Sequence, residues 1–325
     1  MQNIDKSCRN LIPVLHHGMH KGDCGRIGFF GGCEEYTGAP YFASLAALKL
    51  GADLSYVYCE KDAATVIKSY SPELIVLPYL RLERNYTNNY ASLQIKEKIL
   101  SVVFKQHALS VGSGLGNDPG MLATIRHILE YAKQKEVPIV VDADALSIIG
   151  NDPSVISNHS HAILTPNINE FKRLAKSLNI SCEASFENSV KECAKRLGGV
   201  TLVLKGKDDI ISNGETLIKC SETSGLKRCG GQGDILAGAI ATFLGWGILY
   251  ESKKWPNDGS VKYNDLPLVA AYAGCKVTRF ASNLGFQKHK LSTQTSDILF
   301  SLPEAMNSCF LPHPFSNPER DISHL

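Results

Sequence analysis

The chain of 325 residues carries 34 Lys plus Arg against 32 Asp plus Glu, a net charge of +2. This balance excludes a global field that would draw in nucleic acid and leaves any anionic ligand to a local site. With 44% hydrophobic and 20% charged residues the chain reads as a globular enzyme. It is large enough for one α/β domain spanning 1–325, with no apolar stretch long enough to span a membrane.

Residues 1–10 have neither the apolar core of a signal peptide nor an Arg-rich amphipathic pattern. The ten cysteines are scattered without a CxxC pair, as in a reducing compartment, so a cytoplasmic protein is expected. A polar, flexible lead-in segment follows; its His16, His17 and His20 have the spacing of metal ligands but no assignable role. Residues 26–30 read as a buried strand running into Gly31-Gly32, and 41–50 as a helix closed by Gly51. Strands are then expected over 52–59 and 74–78, with a helix over 62–70 between them. A polar region from Arg81 to Tyr90 leads into a pattern ending near Lys105.

Residues 108–112 are a strand running into Gly112-Ser113-Gly114-Leu115-Gly116, and Asn117-Asp118-Pro119 starts a helix to about Gln134. Residues 138–141 carry Asp142 and Asp144 at their C-terminal end, where side chains of parallel strands point into the ligand cleft. The unit repeats with strand 162–165, a helix opened by Asn167 and Glu170, a helix over 189–197, and strand 201–204 delivering Lys205. Asn213-Gly214 reads as a type I′ turn of a hairpin. Residues 251–265 are a solvated insertion, 266–280 a buried helix, and Thr295-Ser296-Asp297 caps a helix over 298–306 before an irregular tail. Alternating strands and helices predict a mainly parallel sheet covered on both faces.

The densest signal is Gly225 to Gly238, a glycine-rich turn followed by an apolar helical run. Freed backbone N–H groups and the positive helix end can hold phosphoryl oxygens, with Asp234 in the first turn able to take a proton from an attacking hydroxyl. Gly112 to Gly116 is neither an early dinucleotide fingerprint nor a Walker A loop, so substrate contact and helix packing both stay open. Asn167 and Glu170 fit a capping box. With Asp142, Asp144 and Asp234 they also fit a hydrated Mg²⁺ reached largely through water.

Five ordered segments carry a family resemblance. They are Gly31-Gly32-Cys33-Glu34-Glu35-Tyr36-Thr37-Gly38-Ala39-Pro40-Tyr41, Ser71-Pro72-Glu73-Leu74, Asp142-Ala143-Asp144-Ala145-Leu146, Leu164-Thr165-Pro166-Asn167 with Glu170-Phe171, and Arg228-Cys229-Gly230-Gly231-Gln232-Gly233-Asp234. Over about residues 10–308 the chain resembles the ribokinase-like superfamily and, within it, the eukaryotic ATP-dependent (S)-NAD(P)H-hydrate dehydratases. It departs from the usual Gly-Pro-Gly-Leu-Gly of that family at Ser113.

The resemblance implies a three-layer α/β/α sandwich with a mainly parallel central sheet. It implies that ATP is held by Lys205, Gly206, Lys207, Asp208 and Asp209, and by Ser224, Gly225, Leu226, Lys227, Arg228, Cys229, Gly230, Gly231, Gln232 and Gly233. Hydrated NADH or NADPH would lie against Gly116, Asn167, Ile168, Asn169, Glu170, Phe171, Lys172, Arg173 and Asp234. Asp234 would activate the hydrate's hydroxyl, ATP would phosphorylate it, and loss of phosphate would restore the dihydronicotinamide. Mg²⁺ would bridge the ATP phosphates, with Glu170 and Asn167 in its outer shell. A kinase for a vitamin precursor or sugar alcohol, or a nucleotide-binding protein without turnover, shares most of these features. Homo-oligomerisation stays open.

Overall fold

A computed structural model of the chain describes residues 4–85, 97–183 and 185–311. The tail from Pro312 and residues 86–90 of the polar stretch lie outside these residues. Nine strands form one sheet in the order β3-β2-β1-β4-β5-β6-β7-β8-β9. They are β1 Arg26–Phe30, β2 Leu54–Glu60, β3 Ile75–Leu80, β4 Ala108–Val111, β5 Ile139–Val141, β6 Ala162–Leu164, β7 Thr201–Leu204, β8 Asp209–Ser212 and β9 Leu217–Cys220. Strands β1 to β7 are parallel, and β8 and β9 add an antiparallel edge. The order reverses between β1 and β4, so their C-terminal ends diverge into the crevice that doubly wound sheets use for ligands.

Both faces of the sheet are buried, and the period of two decides which residue serves which face. Ile27, Phe29, Ala108, Val140, Ile163 and Val203 pack into one core. Their strand neighbours Phe30, Leu109, Val141, Leu164 and Leu202 pack into the other. The first layer contains α1 Ile4–Asn10, α2 Gly38–Leu50, α8 Gln232–Glu251, α9 Leu266–His289, α10 Thr295–Phe300 and α11 Leu302–Phe310. The second contains α4 Pro119–Gln134, α5 Leu146–Asn151, α6 Ile168–Ser177, α7 Phe186–Arg196 and a helix whose described residues are 97–103. Helix α3 Lys61–Tyr70 flanks β2 and β3 over a smaller apolar cluster.

Helix α8 is longer than the apolar pattern suggested. By length and composition it could cross a membrane, but here it is the core helix, with Ile235, Phe243, Trp246 and Tyr250 all buried. Gly238 lets it approach α2 closely, because a Cβ there would stand 2.1 Å from the Ala43 carbonyl oxygen.

Several expectations need correction. The hairpin is not closed by a type I′ turn: Ser212 pairs with Leu217, leaving a four-residue loop in which Gly214 but not Asn213 has positive φ. Asn213 Oδ1 instead accepts the N–H groups of Glu215 and Thr216, a local side-chain turn that replaces the second left-handed residue. The insertion is anchored by the buried Trp255, whose Nε1 donates to the Asn10 carbonyl. In the lead-in, α1 buries Cys8 and the following Leu11 against the first layer. Near the end, Gln294 and Asp297 form the capping box, so the helix begins at Thr295.

Candidate active site

Gly116, Asp142, Asp144, Asn167, Glu170 and Lys205 follow the C-terminal ends of β4 to β7. Helix α8 is entered there through its N-cap Gly231, which has φ 96° and makes no side-chain cap; the Gln232 N–H donates to the Cys229 carbonyl, which leaves those of Gly233 and Asp234 to an anion. Asp234 is the third residue of the helix and caps nothing. Lys205, at the end of β7, reaches back to Asp142 at the end of β5, with Nζ 2.7 Å from Oδ1. A Cβ built on Gly233 would stand 3.5 Å from Lys205 Nζ, so the anion turn and this ammonium face one another. Asp144 Oδ2 accepts the Gly116 N–H at 2.9 Å, which uses that glycine amide inside the protein.

Burial raises the Asp234 carboxyl to about 6, and the nearby carboxylates of Asp142 and Asp144 push the same way. Ser113 and Lys205 oppose them. Burial also raises Asp144 and Glu170. For Lys205 burial works against the charge, but Asp142, Glu170 and Asp234 outweigh it and the net shift is upward. A base held near neutrality beside a permanent cation is the arrangement that proton abstraction at a phosphoryl-transfer site requires. The Ser113 hydroxyl, 4% exposed, lies beside Asp234 yet has no partner in full hydrogen-bond geometry.

Two cavities flank this cluster. One of about 490 Å³ is lined by Lys205, Gly206, Lys207, Asp209, Ser224, Arg228, Cys229, Gln232 and Gly233, together with Leu236, Cys275, Thr278 and Arg279. Of the other residues assigned to ATP, Leu226 is 82% exposed and Gly225 packs on Ser282 and Phe286. Asp208, Lys227, Gly230 and Gly231 are not part of the lining. The second cavity, about 670 Å³, is lined by Glu170 and Arg173 with Asn117, Asp144, Ser147, Asn151 and Lys176 among others.

Asn167 Oδ1 accepts the N–H groups of Asn169 and Glu170, and Glu170 Oε2 accepts that of Asn167, so the pair does form the capping box of α6. Phe171 is fully buried against Phe186; its side chain belongs to the core and not to a substrate surface. Lys172 faces a separate surface hollow near Cys182. Among the described residues no three His, Cys, Asp or Glu converge on a metal. The donor set therefore suits an ion carried by phosphates and reached through water, not one in a protein cage.

A family model described as NAD(P)H-hydrate dehydratase matches residues 27–304. The chain belongs to the NAD(P)H-hydrate dehydratase family. An ATP-dependent (S)-NAD(P)H-hydrate dehydratase of Schizosaccharomyces pombe is 40% identical over 306 residues, covering 94% of this chain and 93% of that protein. A human protein of the same description is 43% identical over 312 residues, covering 95% and 85%. Among solved structures, an ADP/ATP-dependent NAD(P)H-hydrate dehydratase from Bacillus subtilis, co-crystallized with ATP and Mg²⁺, superposes with a TM-score of 0.66 at 19% identity, covering 94% and 97%. A ribokinase-like superfamily protein of Enterococcus faecalis gives 0.71 at 20% identity, covering 94% of each chain. These likenesses establish the ribokinase-like α/β/α fold of this family member. In the first cavity the sequence missed Cys275, Thr278 and Arg279 on α9 and gave Leu236 no role; in the second it missed Asn117, Ser147, Asn151 and Lys176. The one available signal was Arg279, which with Lys276 interrupts the apolar run of that helix.

Proposed function

We infer that this chain is an ATP-dependent (S)-NAD(P)H-hydrate dehydratase, restoring NADH or NADPH from the hydrated cofactor with release of ADP and phosphate. One observation carries the reading at the site: Asp234 follows Gly233, which lines the first cavity and whose Cβ position stands 3.5 Å from Lys205 Nζ and 3.9 Å from Asp142 Oδ2, while Asp144, whose charge pushes the Asp234 carboxyl up, lines the second cavity. ATP in the first and the hydrated ring in the second would meet at Asp234. The carboxylate would accept the proton of the ring hydroxyl as its oxygen attacks the γ-phosphorus and the bond to ADP breaks. Lys205, held by Asp142, and the free N–H groups at the start of α8 would stabilise the transferring charge.

Phosphate is a far better leaving group than hydroxide. The lone pair of the ring nitrogen expels it, and loss of a proton from the neighbouring carbon restores the double bond. Mg²⁺ would neutralise phosphate charge, with Glu170 and Asn167 in its outer shell, reached through water. The ten free cysteines support a reducing, cytoplasmic setting. The 1–325 span as a single domain is supported by one continuous sheet. Incubation with hydrated NADH and ATP should restore dihydronicotinamide absorbance with one ADP formed per cofactor repaired. A stable phosphorylated product and no recovered absorbance would make the protein a kinase instead.

A further inference from the structure

Arginine in a nucleotide cavity ordinarily meets phosphate through its planar fork. Arg279, on α9 and 12% exposed, is already engaged within the protein. Its Nε donates to the Glu222 carbonyl at 2.7 Å. Nη1 donates to Asp209 Oδ2 at 3.0 Å and lies 3.4 Å from the Gly206 carbonyl oxygen, while Nη2 donates to the Lys207 carbonyl. Asp209 in turn accepts the Gly206 N–H at 3.1 Å through Oδ1. One guanidinium thus ties the 206–209 turn and the segment after β9 to a helix of the core layer, and all three of its nitrogens are used.

The turn it holds is the exposed wall of the 490 Å³ cavity, with Gly206 and Lys207 both open to solvent. Resting on the ATP reading above, we propose that Arg279 is a positioning residue for the nucleotide: it shapes the Gly206–Asp209 turn for the ATP phosphates through the buried pair with Asp209, without contacting them. Lysine at 279 keeps the charge but has one nitrogen in place of three, so it cannot span the same set of acceptors. The Asp142–Lys205 pair and Asp234 lie outside this clamp, so the chemical step is left in place once ATP is bound.

The test is ATP binding by calorimetry, with KM and kcat, for Arg279→Lys, Asp209→Asn and the double variant, with circular dichroism to verify folding. Arg279→Lys should weaken ATP binding and raise its KM roughly ten-fold or more, with kcat at saturation within about three-fold and KM for the hydrate unchanged. The double variant should be little worse than either single one, because both break the same clamp. Unchanged ATP affinity in folded Arg279→Lys overturns the proposal. Effects of the two substitutions that simply multiply do so as well, because a phosphate-contacting arginine would act independently of Asp209. Asp209→Asn keeps the test open should Arg279→Lys not fold. Because ATP binding is measured directly, a wild-type protein that binds ATP but repairs no hydrate defeats the dehydratase reading and leaves this one to be judged.

Discussion

Burial, with Asp142 and Asp144 close by, holds the Asp234 carboxyl up at about 6. Between the ordinary carboxylate range and that value, the folded chain binds more protons than the unfolded one. The stability this group contributes is therefore present in acid and lost as pH rises to about 6. Since Asp234 caps nothing, Asp234→Asn should melt no lower than wild type at neutral pH. Its turnover should nevertheless fall by roughly two to four orders of magnitude, the contribution of a positioned base. Melting temperature and repair rate on the same sample check both halves, and near-normal turnover in a folded protein removes the base from Asp234. For the wild type, kcat/KM should climb with pH and level off above about 6. Lys205 and Ser113 favour the charged carboxylate, so Lys205→Met and Ser113→Ala should each move that acid limb to higher pH. A limb that stays in place in both variants would assign it to another group.

Helix α8 has to be both a positively charged terminus at the site and the centre of a packed layer, and its small residues reconcile the two. With no room between Gly238 and the Ala43 carbonyl, Gly238→Ala forces α2 and α8 apart. It should cost about 1–3 kcal/mol in urea unfolding, with any kinetic loss following the shift of the first helical turn. Helix α6 poses a different question, since its capping box accounts for Asn167 and Glu170 without a metal. Asn167→Ser keeps the cap within a few tenths of a kcal/mol but removes the amide. If Asn167 also supports the ion, the Mg²⁺ concentration for half-maximal activity should rise. An unchanged Mg²⁺ dependence would leave it a capping residue alone.

At the scale of the molecule, ligands that bind only the folded chain stabilise it by mass action, about 2.7 kcal/mol at a hundred times Kd. ATP with Mg²⁺ should therefore raise the melting temperature by several degrees. Rigorous chelation should abolish repair and most of the ATP-induced shift. Activity that survives chelation would rule out the metal. Hydrogen exchange with and without ATP should show protection concentrated at 205–209 and 224–233, the two segments that enter and leave the open end of the β8–β9 hairpin, where Asp209 pairs with Cys220.

The sequence alone determined what depends on neighbours along the chain. Short apolar runs ending in glycine or a charged residue placed β1 to β7, the glycine turn before an apolar run placed the start of α8, and Asn167 with Glu170 formed their capping box, because these are local backbone and side-chain preferences. Recurrent chemical residues at strand ends made the cleft legible before any coordinates. Tertiary structure decided the rest. Lys205 and Asp142 are 63 positions apart, and their pairing follows from where β5 and β7 lie in the sheet. Phe171 left the substrate surface for the core because α6 turns it inward, a choice that motif matching cannot see. Arg279 joined the 490 Å³ cavity from a core helix 70 residues beyond Asp209. The Asp234 carboxyl owes its raised pKa to burial and to charges brought near by folding, since desolvation and through-space charge depend on the packed protein and not on order along the chain.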